Sequence, residues 1–188
     1  MRPWWKAMSW PFCHRSPVAE VHASDARRRP TVRSSLALAP LAPFQLVEQW
    51  QEEIWPAMGP APAAMSLFVG RVRGTTTAGL PLEALELEHY PGMSERLLEQ
   101  LARSMAELHR VEAVGVAHRV GTILPGEPIV VVAAFADRRG PAQRCCQELL
   151  EALKHEAPFW KREWSGGTGT WVAGNTPLAG HPPLDRPS

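Results

Sequence analysis

The sequence lacks the segments and motifs that would place it in a membrane or assign it a common cofactor. No apolar run approaches the roughly 20 residues with which a helix crosses a bilayer. The glycine-rich loops that bind ATP or NAD, the nucleophile elbow of esterases, the HExxH zinc motif and the CxxC pair are all absent. The sequence therefore predicts neither a bound metal nor a cofactor.

Cysteine is scarce as well. The three cysteines, Cys13, Cys145 and Cys146, have neither metal-ligand spacing nor the pattern of a disulfide framework. Cys145 and Cys146 fall beside leucines in a predicted helix, which favours small buried hydrophobic side chains over reactive thiols. Unpaired cysteines are typical of a reducing compartment, so we expect a cytoplasmic protein.

Net charge is small, at +1 over 188 residues, but it is unevenly distributed. Residues 1–34 carry seven cations against Glu20 and Asp25, a balance of +5 that leaves −4 for the remainder. This arginine-rich leader, residues 1–38, shows no helical or strand periodicity. A disordered extension, an organellar transit peptide and a start site assigned too far upstream all fit it. Nucleic-acid binding would rest on Arg27–Arg29 alone, so we expect no nucleic-acid partner.

The rest of the chain predicts one domain over residues 39–177 and a proline-rich tail over 178–188. Apolar periodicity predicts the order β-β-α-β-β-α-β, preceded by a short amphipathic helix over 44–51. Between Pro56 and Pro62 no regular structure is expected. Paired strands separated by two main amphipathic helices favour an α+β layer fold over a doubly wound sheet. The predicted strands run over 64–73, 82–88, 113–119, 128–135 and 168–172.

The last predicted helix has cations at both of its ends. Gly140 is predicted as its N-cap and Pro141 as its first residue, with Arg138 and Arg139 just before them. Two cations at a helix N-terminus oppose the helix dipole, which favours a visiting anion over solvated loop arginines.

At its other end, this helix is predicted to stop at Pro158. The proline ring clashes with the carbonyl of Lys154, and proline has no N–H to donate. Lys154 therefore lies in the last turn, and Lys161 and Arg162 follow just beyond the break. An ordinary C-terminal cation would explain Lys154 alone, whereas the group of cations indicates a binding or catalytic site.

Four ordered motifs carry a resemblance to a known family. They are Phe68-Val-Gly-Arg-Val-Arg73-Gly, Leu87-Glu-His-Tyr-Pro-Gly-Met93, His118-Arg-Val-Gly121 with Leu124-Pro-Gly-Glu127, and Leu153-Lys-His-Glu-Ala-Pro-Phe-Trp-Lys-Arg-Glu163. In order and spacing they resemble the large, catalytic subunit of molybdopterin synthase, the MoaE type. The resemblance covers residues 40–175, and the last motif is its most specific part.

The resemblance implies an α/β hammerhead-type fold and a sulfurtransferase activity. Sulfur would pass from the C-terminal thiocarboxylate of a small ubiquitin-like carrier (MoaD type) to cyclic pyranopterin monophosphate, forming the dithiolene of molybdopterin. A homodimer of catalytic subunits would bind two carriers in a heterotetramer. Lys154 and Lys161 would be catalytic. The substrate-binding residues implied are Arg71, Val72, Arg73, Arg138, Arg139, Lys154, Lys161, Arg162 and Glu163.

One position departs from the family pattern, and some alternatives stay open. Arg138 stands where the family commonly has histidine. Arginine cannot shuttle a proton as histidine does, but it binds phosphate well, so we expect a phosphate-binding role here. Phe68 and Trp160 are interpreted as core side chains rather than as a substrate platform. The alternative function is a non-catalytic adaptor that binds the tail of a ubiquitin-like sulfur carrier.

Overall fold

Eleven helices and strands make up the part of the chain, residues 29–58 and 60–172, that the computed structural model describes. The strands are β1 Thr31–Ala37, β2 Ala64–Arg71, β3 Ala84–Glu88, β4 Ala113–Arg119, β5 Gly121–Ile123, β6 Pro128–Ala136, β7 Trp160–Ser165 and β8 Thr168–Val172. The helices are α1 Pro43–Met58, α2 Met93–His109 and α3 Arg139–Glu156.

The first of two four-stranded sheets forms the central layer. Its order is β1-β4-β6-β2, with β1 parallel to β4 and the other pairs antiparallel. Helices α2 and α3 pack on one face of this sheet and α1 packs on the other. The apolar strand β6 is therefore buried on both sides, as its composition predicts.

The second sheet is smaller and entirely antiparallel, in the order β5-β3-β7-β8. One of its faces carries a small apolar cluster that includes Leu85, Leu87 and Ile123. Ile129, at the start of β6, packs against this cluster and joins the two sheets. Paired strands and separate helical layers confirm the predicted α+β hammerhead-type fold.

Strand β1 corrects the predicted domain boundary. Residues 31–37 were assigned to a leader without regular structure, but they pair along their whole length with β4. Val32 and Leu36 also pack against the core beneath α2 and α3. The assignment was wrong here because an edge strand with one polar face has too few apolar residues for a clear pattern. The rest of the predicted leader, residues 1–28, and the tail over 178–188 lie outside the described residues.

Helix α1 is longer than predicted, since it continues through Pro56 to Met58. Proline inside a helix costs about 3 kcal/mol or more. Burial of Trp50 and Ile54 against the central sheet offsets that cost, at about 1.5–3 kcal/mol for each large side chain. The Trp50 ring lies directly on Gly115 of β4, where any side chain would collide with it.

Helix α3 begins two residues before its predicted start and ends where it was predicted to end. The N–H of Ala142 donates to the carbonyl of Arg138 at 3.5 Å, which makes Arg138 the N-cap instead of Gly140. Pro141 is then the third helical residue, where its missing N–H leaves no helical bond unmade. At the C-terminus Ala157 is extended before Pro158, as the proline predicts.

We expect strand β1 to contribute measurably to stability. A chain that begins at Leu38 should unfold more easily than one that begins at Thr31, because the first loses the burial of Val32 and Leu36. The difference should be about 2 kcal/mol or more, which lowers Tm by roughly 4–8 °C in a domain of this size. Calorimetry on the two truncated chains measures it, and equal Tm values would contradict the assignment of β1 to the folded domain.

Candidate active site

A cavity of about 740 Å³ lies between α3 and the strands that join the two sheets. Its walls are largely apolar and include Phe68, Leu87, Ile129, Leu150, Leu153 and Phe159. Lys154, Lys161, His118 and Glu151 supply most of its polar groups at one end. A concave apolar pocket with a few convergent polar groups is typical of a ligand-binding or catalytic site.

The two lysines reach the cavity from different layers of the fold. Lys154 lies in the last turn of α3, and Lys161 is the second residue of β7 in the other sheet. The chain breaks at Ala157 and Pro158, so the two ammonium groups converge although seven residues separate them in sequence. Lys154 also lies 3.5 Å from the carboxylate of Glu151, one helical turn earlier.

The surroundings of Lys161 change its pKa. Burial lowers its pKa below the ordinary value of 10.5, and the nearby charges of Arg73 and Lys154 lower it further. The carboxylate of Glu163 opposes this effect and raises the pKa. A lysine whose charge is disfavoured can donate and accept protons near neutral pH more readily than an exposed lysine.

Glu163 also fixes the loop that follows Arg73. Its carboxylate accepts hydrogen bonds from the backbone N–H and the hydroxyl of Thr77, at 2.8 and 3.0 Å. Glu163 is two residues after Lys161 on β7, so both side chains emerge from the same face of the strand. The arrangement ties the position of Arg73 to that of Lys161.

Arg162 lies on the opposite face of β7, because successive side chains of a strand alternate. Its guanidinium stacks on the ring of Trp171 at 4.1 Å. The carboxylates of Glu86 and Glu88 lie 3.5 and 3.3 Å from it. Arg162 was expected in the same pocket as Lys161, but in this chain it is not among the residues that line the cavity.

Arg71 and Val72 hold a neighbouring turn. The Arg71 guanidinium donates to the carbonyl of Gly126 at 2.9 Å. The backbone of Val72 bonds to Gly126 and Glu127. Gly126 has φ of +85°, and the N–H of Glu127 donates to the carbonyl of Leu124, which confirms the predicted turn. Arg71 and Val72 shape the surroundings of Arg73, and none of the three residues is in the cavity wall. The charge of Arg73 nevertheless acts on Lys161.

Arg138 and Arg139 lie far from the two lysines. Fifteen residues of helix separate Arg139 from Lys154, which corresponds to about 22 Å along α3. The Arg138 side chain is 82% exposed and pairs with Asp137 at 3.3 Å. Within one chain, these two arginines and the two lysines do not reach the same small ligand.

His118 also lines the cavity, although no site role was predicted for it. Its Nδ1 lies 2.8 Å from the carbonyl of Arg119, and its ring stacks on Phe159 with centroids 4.4 Å apart. Burial lowers its pKa from 6.5 to about 4, and the charge of Lys161 contributes to the lowering. His118 is therefore a neutral imidazole at pH 7.

The two aromatic residues interpreted as core are instead partly exposed. Phe68 lines the cavity and Trp160 lies on the outer surface of the second sheet, each with 43% of its surface accessible. Trp160 meets Tyr90 edge-on, with centroids 4.8 Å apart. Successive side chains of a strand point to opposite faces, and the neighbours of Phe68 and Trp160 point inward. The place of these two rings therefore follows from their position in the strand and not from their apolar character.

The cysteines of α3 are buried, as predicted. Burial raises the pKa of the Cys145 thiol to about 12 and also raises that of Cys146, which lines the cavity. Both are therefore protonated thiols at neutral pH, which are poor nucleophiles.

Within residues 29–58 and 60–172, no cluster of histidine, cysteine and carboxylate side chains is suited to a metal ion. In the same ranges, no helix is long and apolar enough to cross a membrane.

Comparison with known proteins identifies the family. The family model described as MoaE protein matches residues 42–156, more than half of the chain. The chain belongs to the MoaE family. It is 39% identical over 134 residues to the molybdopterin synthase catalytic subunit of Salmonella typhimurium, across 70% of this chain and 85% of the relative. To the subunit of the same name from Cereibacter sphaeroides it is 42% identical over 111 residues, which are 58% of this chain and 73% of the relative.

Solved structures agree with this assignment. The MoaE protein from Burkholderia ambifaria matches 80% of this chain and 94% of its own, with a TM-score of 0.62 and 36% identity. A complex of subunits 1 and 2 of molybdopterin-converting factor from Helicobacter pylori shares the fold, with a TM-score of 0.59 and 21% identity over 84% of this chain and all of that one. Membership of the MoaE family assigns the chain an enzymatic role in molybdenum cofactor biosynthesis.

The charges around Lys161 predict opposite effects of two substitutions. Arg73→Gln should raise the pKa of Lys161, because it removes a neighbouring cation. Glu163→Gln should lower it, because it removes the carboxylate that stabilises the ammonium. The ¹³Cε shift of Lys161 during a pH titration measures both. Glu99→Gln, on the exposed face of α2, is the control that should leave it unchanged, and shifts of the same sign for the two variants would contradict the assignment.

The neutral state of His118 predicts an effect of pH on stability. Between pH 6.5 and about 4 the unfolded chain protonates this histidine and the folded chain does not. The free energy of unfolding should therefore fall as the pH drops through this range, by about 3 kcal/mol from His118. Urea unfolding of wild type and His118→Asn at several pH values isolates this contribution. Identical pH dependence in the two proteins would contradict it.

Proposed function

We propose that this protein is the catalytic subunit of a molybdopterin synthase. It transfers sulfur from the C-terminal thiocarboxylate of a small ubiquitin-like carrier to cyclic pyranopterin monophosphate, forming the dithiolene of molybdopterin in the cytoplasm. The observation that carries the proposal is the convergence of Lys154 and Lys161, from two separate layers, in one apolar cavity.

The cavity suits the reacting groups chemically. A thiocarboxylate and a cyclic phosphate are both anions, and Lys154, Lys161 and the nearby Arg73 supply positive charge at one end of the cavity. Apolar walls such as Phe159 and Leu87 exclude water and strengthen these charge interactions. The nucleophilic sulfur arrives on the carrier, so the protonated thiols of α3 take no part in the reaction.

We assign different roles to the two lysines on the basis of their environments. Lys161, whose pKa burial lowers, exchanges a proton with the reacting groups. Lys154, partly exposed in the last turn of α3, meets the end of the carrier tail. Arg73 holds the substrate phosphate, while Glu163, Arg71 and Val72 position Arg73 and its loop. Arg162 stabilises the second sheet from its outer face.

The position of Arg138 and Arg139 favours a dimer. Because about 22 Å of helix separates Arg139 from Lys154, these arginines can bind the substrate of this family only at the cavity of a second copy. Arg138 would then contribute charge to the phosphate, where proton transfer is not required.

The carrier is proposed from the chemistry of the site and from a relative. The Helicobacter pylori structure is a complex of subunits 1 and 2 of molybdopterin-converting factor. We propose that this chain likewise binds a small MoaD-type partner, whose C-terminal tail enters the cavity toward Lys154. Two catalytic subunits and two carriers form a heterotetramer.

Conversion of cyclic pyranopterin monophosphate to molybdopterin by the full chain and a thiocarboxylated carrier tests this function. Lys154→Ala and Lys161→Ala should each lower the rate at least about tenfold, which corresponds to about 1.4 kcal/mol of barrier. His155→Ala is the matched control: it neighbours Lys154 in the same turn, but its side chain is exposed outside the cavity. Its rate should equal that of the wild type.

A non-catalytic adaptor makes a different prediction in the same assay. An adaptor would bind the carrier tail, with affinity reduced by Lys154→Ala, but would form no molybdopterin. Carrier binding without product from the wild-type chain would therefore refute the enzymatic proposal and support the adaptor.

A further inference from the structure

The imidazole of His118 is held rigidly at the catalytic end of the cavity. Its Nδ1 lies 2.8 Å from the carbonyl oxygen of Arg119, and its ring lies nearly parallel to that of Phe159, at an interplanar angle of 14°. The charge of Lys161 acts on it, so the two groups lie near each other in the cavity. No role for His118 follows from the motifs that define the site.

The hydrogen bond to Arg119 determines which ring nitrogen carries the proton. A carbonyl oxygen only accepts, so Nδ1 must be the donor. In a neutral imidazole the other nitrogen, Nε2, is then unprotonated and accepts a hydrogen bond. The stack on Phe159 holds the ring in this orientation.

A neutral acceptor is unusual among the polar groups at this end of the cavity. Lys154 and Lys161 have only donors, and the carboxylate of Glu151 is engaged by Lys154. Of the other polar residues in the cavity wall, Ser66 is hydrogen-bonded to Cys146, and Gln143 and Gln147 lie about 16 and 10 Å from Lys154 along α3. Nε2 of His118 is therefore a neutral acceptor close to Lys161.

We propose that Nε2 of His118 orients the water that releases the spent carrier, an inference that rests on the proposed sulfur transfer. The thiocarboxylate sulfur attacks a substrate carbon whose bond to a phosphate oxygen breaks, and that oxygen keeps the electron pair on the opened phosphate. The carrier is then joined to the substrate through an acyl–sulfur bond. Water adds to the acyl carbon and the carbon–sulfur bond breaks. The carrier leaves as a carboxylate and the substrate keeps the sulfur as a thiol. One proton of the water ends on that sulfur and the other goes to solvent.

The surroundings of His118 fit an orienting role better than a proton-accepting one. An imidazolium would form beside Lys161, with Lys154 and Arg73 close to that lysine, and like charges disfavour it. A hydrogen bond that aims a lone pair of the water at the acyl carbon needs no change of charge on the ring. His118 thus places the water, and the proton leaves by another route.

Two variants separate this role from the structural bond to Arg119. Asparagine in His118→Asn can still donate to the Arg119 carbonyl from the place of Nδ1, but it offers nothing at Nε2. Glutamine in His118→Gln reaches the place of Nε2 with an acceptor oxygen. In single-turnover reactions of the full chain with thiocarboxylated carrier, His118→Asn should slow carrier release about tenfold or more. The acyl-linked carrier–substrate species should accumulate in the intact mass spectrum, and His118→Gln should recover part of the rate.

Several results would overturn the proposal. It fails if His118→Asn releases carrier at the wild-type rate, or if it is slow without accumulating the acyl-linked species. It also fails if His118→Gln is no faster than His118→Asn. If the wild type forms neither product nor acyl-linked species, the proposed function itself is refuted, and the role of His118 with it.

Two measurements on the wild type test the proposal without a substitution. In ¹⁸O-labelled water, the released carrier should gain one ¹⁸O atom in its terminal carboxylate at each transfer, and its absence would exclude cleavage by water. The ¹⁵N spectrum of labelled histidine should show His118 as the neutral Nδ1–H tautomer at pH 7. A proton on Nε2 would leave no acceptor and would overturn the proposal.

Discussion

The position of Lys154 at the cavity depends on the packing of α3 against the central sheet. Ala142, Cys145, Leu149 and Leu153 form one face of the helix and are almost completely buried. Burial of this face sets both the rotation of α3 about its axis and its position along the sheet. Lys154, the residue after Leu153, therefore points to the cavity. Three residues after the helix ends, the chain enters β7 and the other sheet. The site therefore lies at the junction of two layers that are each held by their own core.

Placing several cations together has an energetic cost that the protein offsets locally. Lys161, Lys154 and Arg73 repel one another, and burial makes the charge on Lys161 less favourable still. Two carboxylates offset this repulsion. Glu151 pairs with Lys154 on α3, and Glu163 stabilises the charge of Lys161 on β7. The site keeps positive charge available to a ligand without an unbalanced cluster in the apolar wall.

Sequence patterns were most informative where one physical effect dominates. Pro158 fixed the end of α3, and the apolar run of β6 identified a strand covered on both faces. Sequence patterns failed where contacts between residues distant in the sequence determine the structure. Strand β7 has three charged residues in a row between Trp160 and Trp164, so each of its faces carries charge and neither is predicted to be buried before β3 and β8 pair with it. For the same reason its face assignment, and with it the removal of Arg162 from the cavity, was not predictable.

The environment of His118 could not be predicted for a related reason. Its position at the end of β4 is visible in the sequence, but the stack on Phe159 and the proximity of Lys161 arise from residues about 40 positions away. A histidine alone does not reveal its tautomer or its charge. Both follow only from the carbonyl and the ring that enclose it.

The contacts of Arg162 have a consequence for the accuracy of folding. A slip of one residue in β7 would turn every side chain of the strand to the other face, bringing arginine into the cavity and lysine among the tryptophans. Lysine, with its compact ammonium, would stack on Trp171 less well than the planar guanidinium does. The paired carboxylates of Glu86 and Glu88 are spaced along β3 to meet only the correct alignment. The contacts of Arg162 on the outer face of the sheet thus favour the register in which Lys161 faces the cavity.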